Sequence, residues 1–313
     1  MLSRIADSLF WLNRYMERAD GILRVTRTNY ISVLDKGISE SLTWRPVIEI
    51  FTNCEEDEVA ALENNTTEVL KKIILDVNNL NSLKVLVNRA RENARGVQDH
   101  ITKEVWEQVN QMFHMVNNPS LRKKLLSENA LEALDDLTRQ SVLYTGITDI
   151  TMPRGTAWNF MNLGKYIERC LETLEITRRE YETINFELNE QQDILYWRIM
   201  LLSLSGYELH LKTYRTTNNN RNVLHQALFN PNFTRSVMYS LTRINRYLRD
   251  VVKENESEEN QALIRLFGRL YSYIKFIDFE TLDAVILQEF LEKVKNELVD
   301  FSKRLGQSFF SYS

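Results

Sequence analysis

The sequence has few of the residues that form turns and covalent cross-links. Its 313 residues include only 9 Gly, 4 Pro and 2 Cys. So few turn residues are typical of long helices and argue against a protein with many strands and turns. Cys54 and Cys170 fall in no cysteine motif, which fits a reducing compartment. Cys170 lies on an apolar helical seam, and we interpret it as a small core residue.

The sequence also lacks long hydrophobic runs and any excess of positive charge. Its net charge is −4 and its pI is about 5.8, so composition gives no electrostatic basis for binding nucleic acid or an anionic membrane. No stretch approaches the ~20 apolar residues of a membrane span. Arg4, Asp7 and Arg14 interrupt the first apolar run, so we expect no signal peptide. We predict a cytoplasmic protein with neither a nucleic-acid nor a membrane partner.

The motifs of common catalytic and cofactor sites are missing as well. A di-iron centre in a helical bundle needs two Glu-x-x-His pairs. The four histidines are His100, His114, His210 and His225, and none has Glu three residues before or after it. The sequence contains no P-loop, dinucleotide fingerprint or Gly-x-Ser-x-Gly nucleophile motif. We therefore predict no metal and no cofactor, and the catalytic residues, if any, are unknown.

Apolar residues recur at steps of three and four along most of the chain, which predicts helices. No strand-like alternation extends beyond a few residues, and no linker is long enough to separate domains. The fold class is therefore all-α, a bundle of long helices forming a single domain over residues 1–313, with about two-thirds or more of the residues helical, far above the usual third.

Two segments at the C-terminal side carry more specific predictions. The stretch from Asp193 to Tyr214 is apolar on most of its surface, so we expect one central, mostly buried helix. Phe309, Phe310 and Tyr312 form an aromatic group that we expect to dock on the body of the protein.

The pattern of the first helix, residues 3–30, returns in the helix of residues 153–181. At a fixed offset the matching pairs are Leu12/Leu163, Tyr15/Tyr166, Glu17/Glu168, Arg18/Arg169, Leu23/Leu174, Thr26/Thr177 and Arg27/Arg178. The apolar seams of the two helices also match, with the spacing of helices that pack at a shallow angle. The repeat predicts that these two helices pack together about a pseudo-two-fold axis.

Each half of the repeat contains a Glu-Arg dipeptide. Adjacent residues point about 100° apart on a helix, so Glu17 cannot pair with Arg18, nor Glu168 with Arg169. If the helices pack as predicted, Glu17 could pair with Arg169 and Glu168 with Arg18. The alternative is that all four are ordinary surface residues. Burying either charge without a partner would cost several kcal/mol.

A second candidate for ligand binding lies at the start of each repeated helix. Arg4 and Arg154 stand where free backbone N–H groups and the helix dipole favour a negative charge, and Trp158 follows one turn after Arg154. An anion could bind there, although ordinary solvated arginines explain the same pattern.

Four blocks of sequence carry a resemblance to a known family. They are Met1-Leu2-Ser3-Arg4 with the run from Leu9 to Ala19, the Ala90–Arg95 and Trp106–Asn110 segments, the stretch from Arg154 to Arg169, and Asn230-Pro231 to Ser236-Val237. In this order they resemble the alpha-E family, a bacterial helical domain of unassigned function, over nearly the whole chain. Three positions depart from the family pattern: Asn13 replaces Gly, Lys165 replaces Arg, and Asp20 stands where Glu is common.

The resemblance implies partners that the residues themselves do not reveal. Members of the family are typically encoded beside a circularly permuted ATP-grasp protein and often beside a transglutaminase-like protein. The resemblance thus implies an accessory or substrate-binding role with a ligase that forms peptide or amide bonds. An enzyme using Glu17 and Glu168 as acid and base, and a helical scaffold without a ligand site, are the alternatives. Whether the chain forms a homo-oligomer is left open by the sequence.

Overall fold

The computed structural model describes residues 2–35, 43–190, 192–215 and 218–310. Helices make up 79% of the chain, and these ranges contain no strand, which confirms the all-α prediction. The chain forms two compact units. The N-terminal unit is Trp11–Pro153, and the C-terminal unit is Arg154–Ser313 together with Met1–Phe10. The single domain expected over residues 1–313 stays a prediction.

The N-terminal unit takes most of one long helix and seven shorter ones. In chain order the helices are α1 (Ser3–Leu34), α2 (Arg45–Phe51), α3 (Glu56–Leu62), α4 (Thr66–Leu70), α5 (Leu83–Gly96), α6 (Lys103–Asn117), α7 (Pro119–Leu125) and α8 (Ala130–Thr151). A π-helical turn, Lys71–Leu75, follows α4. Thr102 caps α6 by accepting a hydrogen bond from the Val105 amide, as its sequence position predicts. α6 packs on both α5 and α8.

Polar contacts fix the register of α1 against α8 within this unit. The Tyr144 hydroxyl donates to Asn13 Oδ1 at 2.5 Å, and the Ser141 hydroxyl donates to Asp20 Oδ1 at 3.0 Å. Each of these groups is buried. Buried polar groups are costly unless they are hydrogen-bonded, so these pairs specify how the two helices align.

The C-terminal unit is built around α9 (Thr156–Glu182). The helices that follow it are α10 (Ile194–Ser203), α11 (Tyr207–Thr213), α12 (Asn219–Leu228), α13 (Val237–Glu254), α14 (Glu258–Lys275) and α15 (Ala284–Phe309). α13 packs along α9, and α12, α15 and α10 also contact it. Seventeen residues of α9 are buried, so this helix forms the core of the unit.

The expected single helix from Asp193 to Tyr214 is wrong, because the chain breaks into α10 and α11. At the break Ser205 adopts a left-handed conformation with φ of 55°. α10 is also not central: Trp197 and Met200 are buried, but Leu195 is 57% exposed. The apolar surface of α10 is broader than the face that the unit covers.

Gly206 lies at this break because no side chain would fit there. A Cβ atom at position 206 would stand 2.5 Å from Gln226 Nε2 and 2.8 Å from the Phe233 ring. Both neighbours are buried, and Gln226 Nε2 also donates to the Gly206 carbonyl at 2.7 Å. Neither can move aside easily.

We expect Gly206→Ala to lower the free energy of unfolding by about 1–3 kcal/mol, the usual cost of overpacking a core. Gly268, within α14, is the matched control because a Cβ there meets nothing within 4 Å. Gly268→Ala should leave stability unchanged or raise it by up to about 1 kcal/mol through helix propensity. Denaturant melts of both variants check this, and equal midpoints would contradict the close packing at Gly206.

The aromatic residues at the C-terminal side dock on their own unit, as predicted. The Phe310 ring is buried and lies 5.1 Å from the Phe10 ring and 5.8 Å from the Phe160 ring. The half-buried Phe309 ring meets Phe160 edge-on at 5.5 Å. Tyr312 lies outside the described residues.

Candidate functional site

The Glu-Arg dipeptide of α9 is buried. Glu168 is 5% exposed and Arg169 is 9% exposed. The Arg169 guanidinium lies 5.2 Å from the centre of the Tyr166 ring, and its Nη1 donates to the Thr234 carbonyl at 3.3 Å. Arg169 therefore points towards the segment that leads into α13. The surface interpretation of these two residues does not agree with their burial.

The corresponding dipeptide of α1 belongs to the N-terminal unit. Glu17 is 5% exposed, as Glu168 is. Burial raises the pKa of Tyr144, and the negative charge of Glu17 raises it further, although a hydrogen bond with Thr148 opposes the shift. Arg18 is half-buried and its Nη1 donates to Asn81 Oδ1 at 2.9 Å. Asn13 Oδ1, in the same unit, accepts a hydrogen bond from the Tyr144 hydroxyl.

The two halves of the repeat agree in burial at several matched positions. Leu12 and Leu163 are fully buried, and so are Thr26 and Thr177. The hydroxyl oxygens of both threonines have no hydrogen-bond partner among the described residues. The packing of the two helices about a pseudo-two-fold axis, and the pairs Glu17–Arg169 and Glu168–Arg18, stay predictions.

The arginines at the helix starts differ from each other. Arg4, in the first turn of α1, is exposed and forms no ion pair with a described residue. Arg154 is exposed just before α9, and its guanidinium lies 3.8 Å from the centre of the Trp158 ring. The close stacking orders Arg154 and covers Trp158, which is itself buried. Anion binding at either arginine stays a prediction.

Three residues on α13 complete the surroundings of α9 and were missed in the sequence. Tyr239 and Tyr247 contact Tyr166 of α9, and Arg243 lies between them along α13. Their spacing of four residues places all three on one helical face, which is the signal that could have found them. Only the packing of α13 on α9 shows that this face meets Tyr166.

Two histidines form hydrogen bonds within the C-terminal unit, and of these His210 is buried and His225 is half-buried. His210 Nδ1 lies 2.9 Å from Gln226 Oε1, and His225 Nδ1 lies 2.7 Å from the Tyr214 hydroxyl. Burial lowers the pKa of both histidines. Within the described ranges no three His, Cys, Asp or Glu residues are placed to hold a metal ion.

Two surface grooves lie away from these residues. One, of about 480 Å³, lies between α14 and α15 and is lined by Glu259, Arg269 and Arg304 among others. The other, of about 490 Å³, lies beside α6 and includes Asn110 and His114. Neither contains a predicted site residue.

Among the described helices, none is both long and apolar enough to cross a bilayer.

Comparison with known proteins gives relatives without an assigned activity. An uncharacterised protein of Mycobacterium bovis is 22% identical in an alignment 281 residues long, which covers 83% of this chain and 31% of the relative. An uncharacterised protein of Mycobacterium tuberculosis is 21% identical, and the match again covers 83% of this chain and 31% of the relative. The chain thus spans about a third of the length of these curated relatives. No solved structure matches the chain.

The family comparison is more extensive. The model of the alpha-E family, described as a predicted alpha-helical domain with a conserved ER motif, matches residues 1–310. The Glu-Arg dipeptide occurs twice in this sequence, as Glu17-Arg18 and Glu168-Arg169. Both copies lie within the matched range, and both glutamates are buried. Because the match extends over nearly every residue, the chain belongs to the alpha-E family.

Proposed function

We propose that this chain is an accessory, substrate-binding partner of an ATP-grasp ligase that forms peptide or amide bonds. The observation that supports the proposal is the buried Glu168-Arg169 dipeptide beside Tyr166. Burying a charged pair seldom stabilises a fold more than apolar residues of similar size would. A second buried glutamate at the matched position, Glu17, makes a purely structural explanation weaker.

The chemistry of such a ligase suits a partner rich in arginine. An ATP-dependent amide ligase joins a carboxylate to an amine, and arginine binds carboxylates through paired, charge-assisted hydrogen bonds. The curated relatives are long enough to contain a further protein in addition to the matched part. In the Mycobacterium bovis relative 69% of the length lies outside the match (100% less the 31% matched). The ATP-grasp partner, the transglutaminase-like partner and the cytoplasmic location all belong to this proposal.

The test is co-purification and turnover. We expect the chain to co-purify with the ATP-grasp protein that the family resemblance predicts beside its gene. ADP release, with the standard amino acids supplied as carboxylates and amines, should be faster for the two proteins together than for the ligase alone. No co-purification, and equal turnover with and without the chain, would contradict the proposal.

Two further outcomes distinguish the alternatives. Amide formation by this chain without the ligase would favour an enzyme that uses Glu17 and Glu168 as acid and base. Co-purification in which Glu168→Gln changes stability but not turnover would favour a scaffold without a ligand site.

A further inference from the structure

Three tyrosine rings form one continuous surface where α13 packs along α9. The Tyr166 ring centre lies 6.2 Å from that of Tyr239 and 6.0 Å from that of Tyr247, with the latter pair stacked. Tyr239 and Tyr247 are two helical turns apart, so Tyr166 lies between them. Tyr166 and Tyr247 are buried and Tyr239 is half-buried, so Tyr239 is the most accessible of the three rings.

Four cationic side chains surround the three rings. The Arg243 guanidinium lies 4.9 Å from the Tyr239 ring centre and that of Arg246 lies 5.9 Å from the Tyr247 ring centre. On α9, Arg169 and Lys165 lie 5.2 and 5.8 Å from the Tyr166 ring centre. Arg246 is exposed and Arg243 is half-buried, so solvent reaches the α13 side of the surface.

The two arginines of α13 have no carboxylate partner in the part of the chain that the structure describes. Neither Arg243 nor Arg246 forms an ion pair there, and Asp250, one turn after Arg246, forms none with it. On α9, by contrast, Arg178 pairs with Glu175 at 2.8 Å. Arg243 and Arg246 therefore contribute positive charge that no carboxylate of the described residues neutralises, and such a field favours a negatively charged ligand.

The tyrosine hydroxyls add hydrogen-bond donors that are not used. Arg243 Nη2 donates to the Tyr239 hydroxyl oxygen at 2.9 Å, and the Trp158 side chain hydrogen-bonds to the Tyr247 hydroxyl. Burial raises the pKa of Tyr166 and Tyr247, so both hydroxyls keep their protons at neutral pH. Within the described ranges no group accepts a hydrogen bond from any of these three hydroxyls. The surface thus presents donors and positive charge together.

We propose that Tyr166, Tyr239, Tyr247 and Arg243 bind an oxyanion, the carboxylate or phosphate group of a small ligand. Charge-assisted hydrogen bonds from Arg243 and neutral ones from the phenols would supply the acceptor's partners. The inference deepens the proposed function and rests on it for the ligand's role, since a ligase accessory would hold a carboxylate or phosphate substrate. Binding itself does not need the ligase.

The test is isothermal titration calorimetry of the full chain near neutral pH. Inorganic phosphate and succinate are the two probes, at an ionic strength held constant with chloride. We expect saturable binding of at least one probe, and the probe that binds identifies the group. Arg243→Met should weaken that binding about ten-fold to a hundred-fold, the usual range for a lost charged hydrogen bond. Tyr239→Phe and Tyr247→Phe should each weaken it about three-fold to ten-fold.

Arg249→Met is the matched control on the same helix. Arg249 is exposed, donates to Asn245 Oδ1 at 3.3 Å and lies about 120° away from Arg243 round the helix. Equal weakening by Arg249→Met would show non-specific attraction and overturn the site, and so would the absence of saturable binding by the unaltered chain. The Tyr→Phe variants keep the test decisive if Arg243→Met fails to fold, because they remove only an oxygen.

The same variants separate this site from the ligase partnership. Saturable binding without any effect of the chain on ligase turnover would contradict the proposed function and leave the oxyanion site. Stimulation of the ligase that is unchanged in Arg243→Met, with anion binding also unchanged, would contradict the site and leave the function.

Discussion

Replacing Glu168 by Gln is expected to lower the free energy of unfolding by about 3–5 kcal/mol, because it breaks an ion pair whose carboxylate is buried and leaves the cation of that pair without its partner. Glu168 is 5% exposed, so water compensates little for a lost partner. Our hypothesis is that the partner is Arg18. If the pair forms, Arg18→Met should also cost about 3–5 kcal/mol, because it leaves the buried Glu168 carboxylate without its charge partner and also removes the hydrogen bond from Arg18 to Asn81.

A double-mutant cycle on Glu168 and Arg18, measured by denaturant melts, tests the pair directly. Residues in one ion-pair network couple by about 0.5–3 kcal/mol, so the double variant should lose less than the sum of the single variants. Coupling within error of zero would show that the two residues do not interact. If both line a ligand site, the same changes should reduce ligand binding more than stability.

Glu182→Gln is the control for the Glu168 variant. Glu182 ends the same helix, is exposed, and pairs with Arg178 at 3.0 Å. An exposed pair of this kind contributes about 1 kcal/mol or less, so this variant should unfold close to the unaltered chain. A similar loss in both variants would mean that burial of Glu168 contributes little to its effect.

Replacing Glu180 by Gln is expected to remove a pH dependence of stability between about pH 4.5 and 7. Burial raises the pKa of the Glu180 carboxyl from 4.5 to about 7, and the negative end of the α9 dipole also disfavours its charge. In the folded chain the proton stays on up to about pH 7, whereas the unfolded chain releases it near 4.5. The contribution to stability is therefore complete below the lower pKa and is lost as the pH rises through the upper one.

The size of the effect follows from the shift. Each pKa unit between the folded and unfolded states corresponds to about 1.4 kcal/mol, and Glu180 is half-buried, so the unaltered chain should lose at most about 3 kcal/mol between pH 4.5 and 8 through this group. Glu180→Gln should lack that loss and be the more stable protein above pH 7. Denaturant melts from pH 4.5 to 8.5 on both proteins, with Glu182→Gln as control, give the comparison. Parallel curves for Glu180→Gln and the unaltered chain would refute the raised pKa.

The helices were predictable because apolar periodicity records which face of each segment is buried. The breaks between helices were less predictable from the sequence. Nothing in the local pattern of residues 193–214 separates α10 from α11, since the break depends on Gln226 and Phe233 closing over Gly206 from elsewhere in the chain. The Thr102 cap, in contrast, is an interaction between residues three apart, so sequence position alone predicts it. Local signals thus located helix starts, and tertiary contacts decided where helices stop.

The site was predictable only in part for a similar reason. The repeated Glu-Arg dipeptides suggested buried charge, and Glu17, Glu168 and Arg169 are buried. Tyr239 and Arg243, however, sit on a helix whose sequence looks like that of any amphipathic surface helix. Their importance depends on Tyr166, more than seventy positions earlier in the chain, and no periodicity reports which helix packs on which.

The contact of Phe310 with Phe10 also bears on how the protein is made. The two rings meet at 5.1 Å although they are about 300 residues apart in sequence. During synthesis the first turns of α1 leave the ribosome long before their aromatic partner exists, and contacts of such wide separation form late. Until residue 310 emerges, the parts of Phe10 and Phe160 that the Phe310 ring covers in the folded protein lack that contact. We therefore expect a nascent chain to expose apolar surface to chaperones at Phe10, and at Phe160 once that residue has been made, until Phe310 is added.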